Sequence, residues 1–93
     1  MLMSKKTFEQ RRRHRIQAYG ITVEQYNQML EDQDGGCYLC GGTDSKSLSI
    51  DHCHHTGRVR GLLCSAHNRA LGLLGDDPEM LLKAHAYLVK HYV

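Results

Sequence analysis

The 93 residues predict a small α+β fold, one β-hairpin with flanking helices, and three observations predict it. Helix-period stretches that open on capping residues lie on both sides of the chain's centre. Between them, two short alternating apolar runs flank the turn signal Thr56-Gly57-Arg58. Around that hairpin stand two closely spaced ligand pairs, Cys37-x-x-Cys40 and Cys64-x-x-His67, which together suit one tetrahedral ion.

The elements follow in order. Ser4 caps a first helix running to about Tyr19, with Gly20 as its stop and Phe8, Ile16 and Tyr19 as a thin apolar stripe. Thr22 starts a second helix with Gln25 placed as in a capping box, and Val23, Tyr26, Met29 and Leu30 recur at helical spacing. Gly35 and Gly36 end it and deliver the chain to Cys37. A polar loop from Gly41 to Lys46 leads to a short strand around Leu48 and Ile50. Val59 to Leu63 is the returning strand. A third helix spans about Ser65 to Leu74, with Ala70, Leu71 and Leu74 turned inward. The run Asp76-Asp77-Pro78-Glu79 starts the last helix, with Asp77 as cap and Pro78 at the first position. Its apolar face, Leu81, Leu82, His85, Leu88, Val89 and Tyr92, is expected to close the core.

Composition sets bounds. Hydrophobic residues make up 41% and the only aromatics are five tyrosines and Phe8, so the core is small and a structural metal would reinforce it. Four cysteines could form two disulfides, but paired knuckles without an export signal favour metal-bound thiolates. No apolar run approaches the ~20 residues that span a bilayer, so a soluble, cytoplasmic protein without membrane attachment is expected. The net charge of +2 is unevenly spread, with +5 over residues 1 to 15 and −3 over the rest. A basic arm over residues 1–20, followed by a zinc domain over 21–93 that folds as one unit, suits a phosphate-backbone partner such as DNA. A solvated helical surface explains the same charges equally well.

The segment LSIDHCHHTGRVRGLLCSAHN, preceded by a YLCG knuckle and by YGITVEQYNQML, resembles the phage recombination endonuclease VII family, a branch of the HNH or ββα-metal nucleases. The resemblance runs from about Tyr19 to Tyr92 and combines the knuckles, the DHxHxTGxVRGLLC segment and the CxxxN ending. It implies a ββα-metal core, a hairpin and helix around one catalytic divalent ion, braced by a separate structural zinc on Cys37, Cys40, Cys64 and His67. His67 departs from the family, which often has a fourth cysteine there; imidazole is an ordinary zinc ligand. Cys53 is the competing fourth ligand, and its place inside the hairpin reads better as a buried free thiol.

The residue types support the same chemistry. Asp51 offers a hard carboxylate and Asn68 a carbonyl oxygen, the donors that Mg²⁺ or Mn²⁺ prefers. His52 is the natural general base, because imidazole titrates near neutrality. Strict strand alternation would send Asp51 and His52 to opposite faces, so the strand must twist or end there. His54 shares the face of His52 and reads either as an active-site or as a surface histidine. Arg58, Arg60 and Arg69 read as phosphate contacts or as surface charges. Arg11, Arg12, Arg13 and Arg15 occupy several faces of their helix, so not all can touch DNA at once.

The expected function is metal-dependent DNA cleavage, by nicking or double-strand cutting. The resemblance implies branched DNA as substrate and paired cuts by a homodimer; a monomer would nick instead. A phage packaging or recombination complex is a candidate partner, in the cytoplasm of an infected or prophage-bearing host. An inert zinc-binding DNA module and a zinc-ribbon interaction domain are the alternatives. Metal-dependent cleavage separates the first reading from both.

Overall fold

The computed structural model describes residues 7–43 and 48–92. Among these, the element order is α1 (Phe8–Gln17), α2 (Val23–Asp32), β1 (Ser49–His52), β2 (Val59–Leu63), α3 (Ser65–Leu73) and α4 (Pro78–His91), a small α+β arrangement with one antiparallel hairpin.

Local chemistry accounts for the helix starts. Thr7 and Thr22 each accept from the N–H three residues on, while Gln10 and Gln25 reach back to the cap N–H, so α1 and α2 both open on complete capping boxes. Ser4, the cap expected for α1, lies outside the described residues. Asp77 caps α4 by accepting from the Glu79 N–H, and Pro78 follows at the first position, as expected. Cys64 precedes α3 without a side-chain cap bond.

The core is small and sits where α1, α2 and the hairpin meet. Ile16, Tyr26, Cys37, Leu48, Ile50, Leu62, Leu63 and Cys64 are buried together, with Val23, Met29, Leu30 and Leu71 packed against them. Ile16 and Leu62 are fully enclosed, each contributing roughly 1.5–3 kcal/mol by burial. Arg12 ties α1 to α2 by stacking over the Tyr26 ring and donating to Asn27 Oδ1 at 3.1 Å.

Gln33, just past α2, joins that helix to the hairpin. Its side-chain amide donates to the Leu62 carbonyl at 2.9 Å and accepts from the Leu62 N–H at 3.0 Å. The carboxamide thus stands in for a neighbouring strand on the free edge of β2. Gly36 follows at a point of close chain approach, where a Cβ would collide with the Gly41 carbonyl.

One expectation is corrected. The apolar face of α4 does not close the core: none of its residues is buried, and Leu82, Leu88, Val89 and Tyr92 are exposed. Leu81 and His85 share that exposure. The turn before it explains why. Gly75 and Asp76 both take positive φ, 77° and 54°, and send α4 off the body after α3. The molecule measures 64 × 27 × 25 Å as a result.

Candidate functional site

Two groups of side chains stand on this frame. The first joins the turn after α2 to the start of α3. One ligand atom from each of Cys37, Cys40, Cys64 and His67 lies within 4.8 Å of the others. A tetrahedral zinc with thiolate and imidazole arms needs ligand separations of about 3.5–3.8 Å. His67 Nδ1 is 3.1 Å from Cys64 Sγ and 3.9 Å from Cys37 Sγ, so this is the ring nitrogen facing the thiols. Soft sulfur with one imidazole is the donor set zinc takes, and the four residues fit it. Cys53 is outside the group and half-buried.

The thiols meet different conditions. Burial pushes Cys37 up, but N–H groups of Cys64, Cys40 and Leu39, together with His67, outweigh it and bring the thiol down to about 6. The Gly42 N–H lowers Cys40, yet burial and the neighbouring Cys37 and Cys64 sulfurs leave it raised.

The second group lies on the hairpin. Ser49 pairs with Leu63, Ile50 with Leu62, Asp51 with Gly61 and His52 with Val59, and the register breaks between Asp51 and His52. Arg60 is therefore the extra residue of a β-bulge, a feature that re-aims a side chain and twists the strand. Asp51 is 7% exposed. Its Oδ2 accepts from Arg60 Nε at 2.7 Å and its Oδ1 from Arg60 Nη2 at 2.9 Å, a bidentate pair. The same guanidinium reaches Asp76, with Nη2 2.7 Å from Oδ1 and Nη1 3.2 Å from Oδ2. Arg60 beside Asp76 holds that carboxyl below its ordinary range, and the two carboxylates hold the guanidinium charged.

The remaining candidates stand on β1, the hairpin turn, α3 and α1. The His52 ring lies between Tyr19, 5.5 Å away, and His54, 5.3 Å away. The His54 N–H faces Asp76 Oδ2 at 3.4 Å, and its ring edges toward Gly72 of α3. Asn68 is half-buried in the first turn of α3, its N–H bonded to the Cys64 carbonyl. Arg58 and Arg69 are exposed, as are Arg11 and Arg13, while Arg15 is half-buried. A cleft of about 290 Å³ opens beside the trio, lined by Tyr38, Leu39, Asp51, Arg60, Leu63 and Leu71.

Sequence reading had not singled out Asp76, Gln33 or Tyr19 for these roles. Asp76 read as part of a helix start, and the only hint otherwise was a third carboxylate in a run whose cap needs one.

A family model described as recombination endonuclease VII matches residues 11–90. The Gene 59 protein of Mycobacterium phage D29 is 47% identical over 78 residues, 81% of this chain and 47% of that protein. The Gene 59 protein of Mycobacterium phage L5 is 44% identical over 77 residues, 80% and 47% of the two chains. The chain thus spans about half the length of these curated relatives. No solved structure matches it. No helix among the described residues is long and apolar enough to cross a membrane.

Proposed function

The chain belongs to the recombination endonuclease VII family, and on that premise we propose that it is an HNH-type endonuclease that hydrolyses DNA phosphodiester bonds with a divalent cation. The observation that carries the reading is the bulged hairpin beside the Cys₃His group. A bulge increases local twist, and the register break opposite Asp51 and His52 supports turning the two side chains toward one site.

Asp51 and the Asn68 carboxamide are the hard donors that would hold Mg²⁺ or Mn²⁺. The chemistry such an ion supplies is stabilisation of charge on the phosphate and the leaving 3′ oxygen. A ring nitrogen of His52 takes the proton of the attacking water, with Tyr19 and His54 packed against the imidazole to limit its rotation. The products are 5′-phosphate and 3′-hydroxyl ends. Zinc on Cys37, Cys40, Cys64 and His67 fixes the start of α3, and with it Asn68, four residues after Cys64.

Arg11, Arg13 and Arg15 on α1, with Arg58 and Arg69, supply phosphate contacts, and His54 supports the base. Residues 1–20 act as a basic arm to the zinc domain of residues 21–93. Branched DNA is the substrate, and the phage relatives favour action in the cytoplasm of an infected host. Whether a homodimer makes paired cuts or a monomer nicks is read from product analysis on junction substrates.

A second reading, a catalytically inert zinc module that binds DNA, draws on one observation. Both Asp51 oxygens accept from Arg60.

Plasmid cleavage by zinc-loaded protein, with and without Mg²⁺ or Mn²⁺, decides between them. Cation-dependent nicking or linearisation is expected, with Asp51→Ala and His52→Ala each losing on the order of 10² or more in rate. DNA binding without cutting of plasmid or junction would favour the inert module.

A further inference from the structure

Arg60 is held by two carboxylates from separate parts of the chain, one on β1 and one in the turn between α3 and α4. Nη2 is shared between them, Nε serves Asp51 alone and Nη1 serves Asp76 alone. We infer that Asp76 is a positioning residue: it anchors Arg60 so that the guanidinium can release the Asp51 oxygens to a divalent cation without losing its own partner.

The inference rests on Asp51 being the cation ligand. Arg60 and a divalent ion compete for the same two oxygens, because Arg60 donates to both. A guanidinium carries five N–H donors in a fixed fork. On leaving Asp51 it keeps the bidentate pair with Asp76 through Nη1 and Nη2, and Nε becomes available at the cleft. A phosphate oxygen is the acceptor that Nε would meet there, since a DNA backbone brings negative charge to the side that Asp51 has given to the cation. Without Asp76, release of Asp51 would strip Arg60 of both carboxylates that hold it among the described residues, and the cation would face the whole cost.

Three features support a built arrangement. The bulge leaves Arg60 without a cross-strand partner, and its guanidinium bonds to both carboxylates. Asp76 adopts φ 54°, which most side chains avoid and Asp and Asn tolerate. Its backbone N–H is bonded to the Leu71 carbonyl at 2.8 Å, which fixes the carboxylate relative to α3. Asp76→Asn removes the charge while suiting the same backbone, so it is the informative substitution.

The test is a Mn²⁺ titration of the zinc-loaded 93-residue protein without DNA, reading free Mn²⁺ by paramagnetic resonance. Wild type, Asp76→Asn, Arg60→Gln and the double variant form a cycle. Asp76→Asn is expected to weaken Mn²⁺ binding about tenfold, the size seen when outer partners of a metal ligand are removed. In the Arg60→Gln background that loss should disappear. Equal weakening with and without Arg60 would mean Asp76 acts only as a negative charge, and the inference fails. Unchanged affinity in Asp76→Asn also overturns it. Wild-type protein that binds no Mn²⁺ at a site lost in Asp51→Ala refutes the cation-site reading and takes this inference with it.

Discussion

Cys37 and Cys40 stand three positions apart on one turn and feel opposite fields. Cys37 is the more buried, yet its thiol lies near 6, because N–H groups converge on its sulfur. Cys40 is raised by burial and by the two sulfurs beside it. The sign follows from these directions. A thiol depressed in the fold contributes stability fully above its ordinary value, and that contribution is lost as pH falls through about 6. Zinc binds thiolates, so each thiol still protonated at a given pH must release its proton on binding. Cys40, held up, still carries a proton to release on binding near neutral pH, whereas Cys37, held down, does not; below about 6, Cys37 adds its own proton. Zinc affinity, measured by competition with a chromophoric chelator, should fall more steeply per pH unit below about 6 than above. A slope constant through that point would show that the N–H groups do not stabilise the Cys37 thiolate. The ligand spacing itself was legible in the sequence, since C-x-x-C and C-x-x-H are local patterns. Asp76 was not, because its partner Arg60 is 16 positions away and nothing local distinguishes it from a helix-start carboxylate.

At the scale of elements, the starts of α1, α2 and α4 follow a local capping rule, α3 opens without a side-chain cap, and the long-range tethers follow no local rule. The Thr22–Gln25 box and the Asp77–Pro78 start were readable because capping involves neighbours in sequence. The α1 cap is Thr7 with Gln10, a pair as local as the others; the expected start at Ser4 passed over it. The hairpin bounds were readable from alternation, but the bulge that frees Arg60 was not, since period two fixes faces and not register slips. Gln33 shows most plainly what sequence leaves out: a polar residue after a helix reads as solvent-facing. Here its carboxamide serves both backbone groups of Leu62, 29 positions on. Gln33→Ala leaves the Leu62 carbonyl a partner in the Tyr38 N–H, but it orphans the Leu62 N–H inside the core. The expected loss is about 1–3 kcal/mol in urea unfolding. Gln33→Glu should be worse than a neutral isostere, because it loses the donor that serves Leu62 and Gly36. A change below about 0.5 kcal/mol for Gln33→Ala, the range of ordinary surface substitutions, would mean water replaces the amide.

For the whole molecule, the Cys₃His group matters more than the core's size suggests. A compact chain of this length would have a radius of gyration of roughly 12 Å, whereas this one has 16.4 Å. The difference lies in α4, whose amphipathic pattern was legible while its standing clear of the core among the described residues was not. Periodicity identifies which face is apolar and says nothing of what covers it. With α4 outside the core, the apolar interior among the described residues is formed by α1, α2, the hairpin and the inner side of α3. Two of its buried members, Cys37 and Cys64, belong to the Cys₃His group. Structural zinc is worth about 10–16 kcal/mol in small domains, and total stabilities run about 5–15 kcal/mol. Removing it should therefore unfold this chain instead of loosening one loop. Chelation at pH 7.5, or Cys64→Ser, is expected to abolish cooperative thermal unfolding followed by circular dichroism. Cys53→Ser, outside the ligand group, should keep both zinc and the transition. If the Cys64 variant retained one zinc per chain and the wild-type melting curve, the four residues would not be the ligand set. If it lost zinc but still melted cooperatively, the core of Ile16, Tyr26, Leu48, Ile50 and Leu62 would suffice by itself, and zinc would serve only to fix the start of α3.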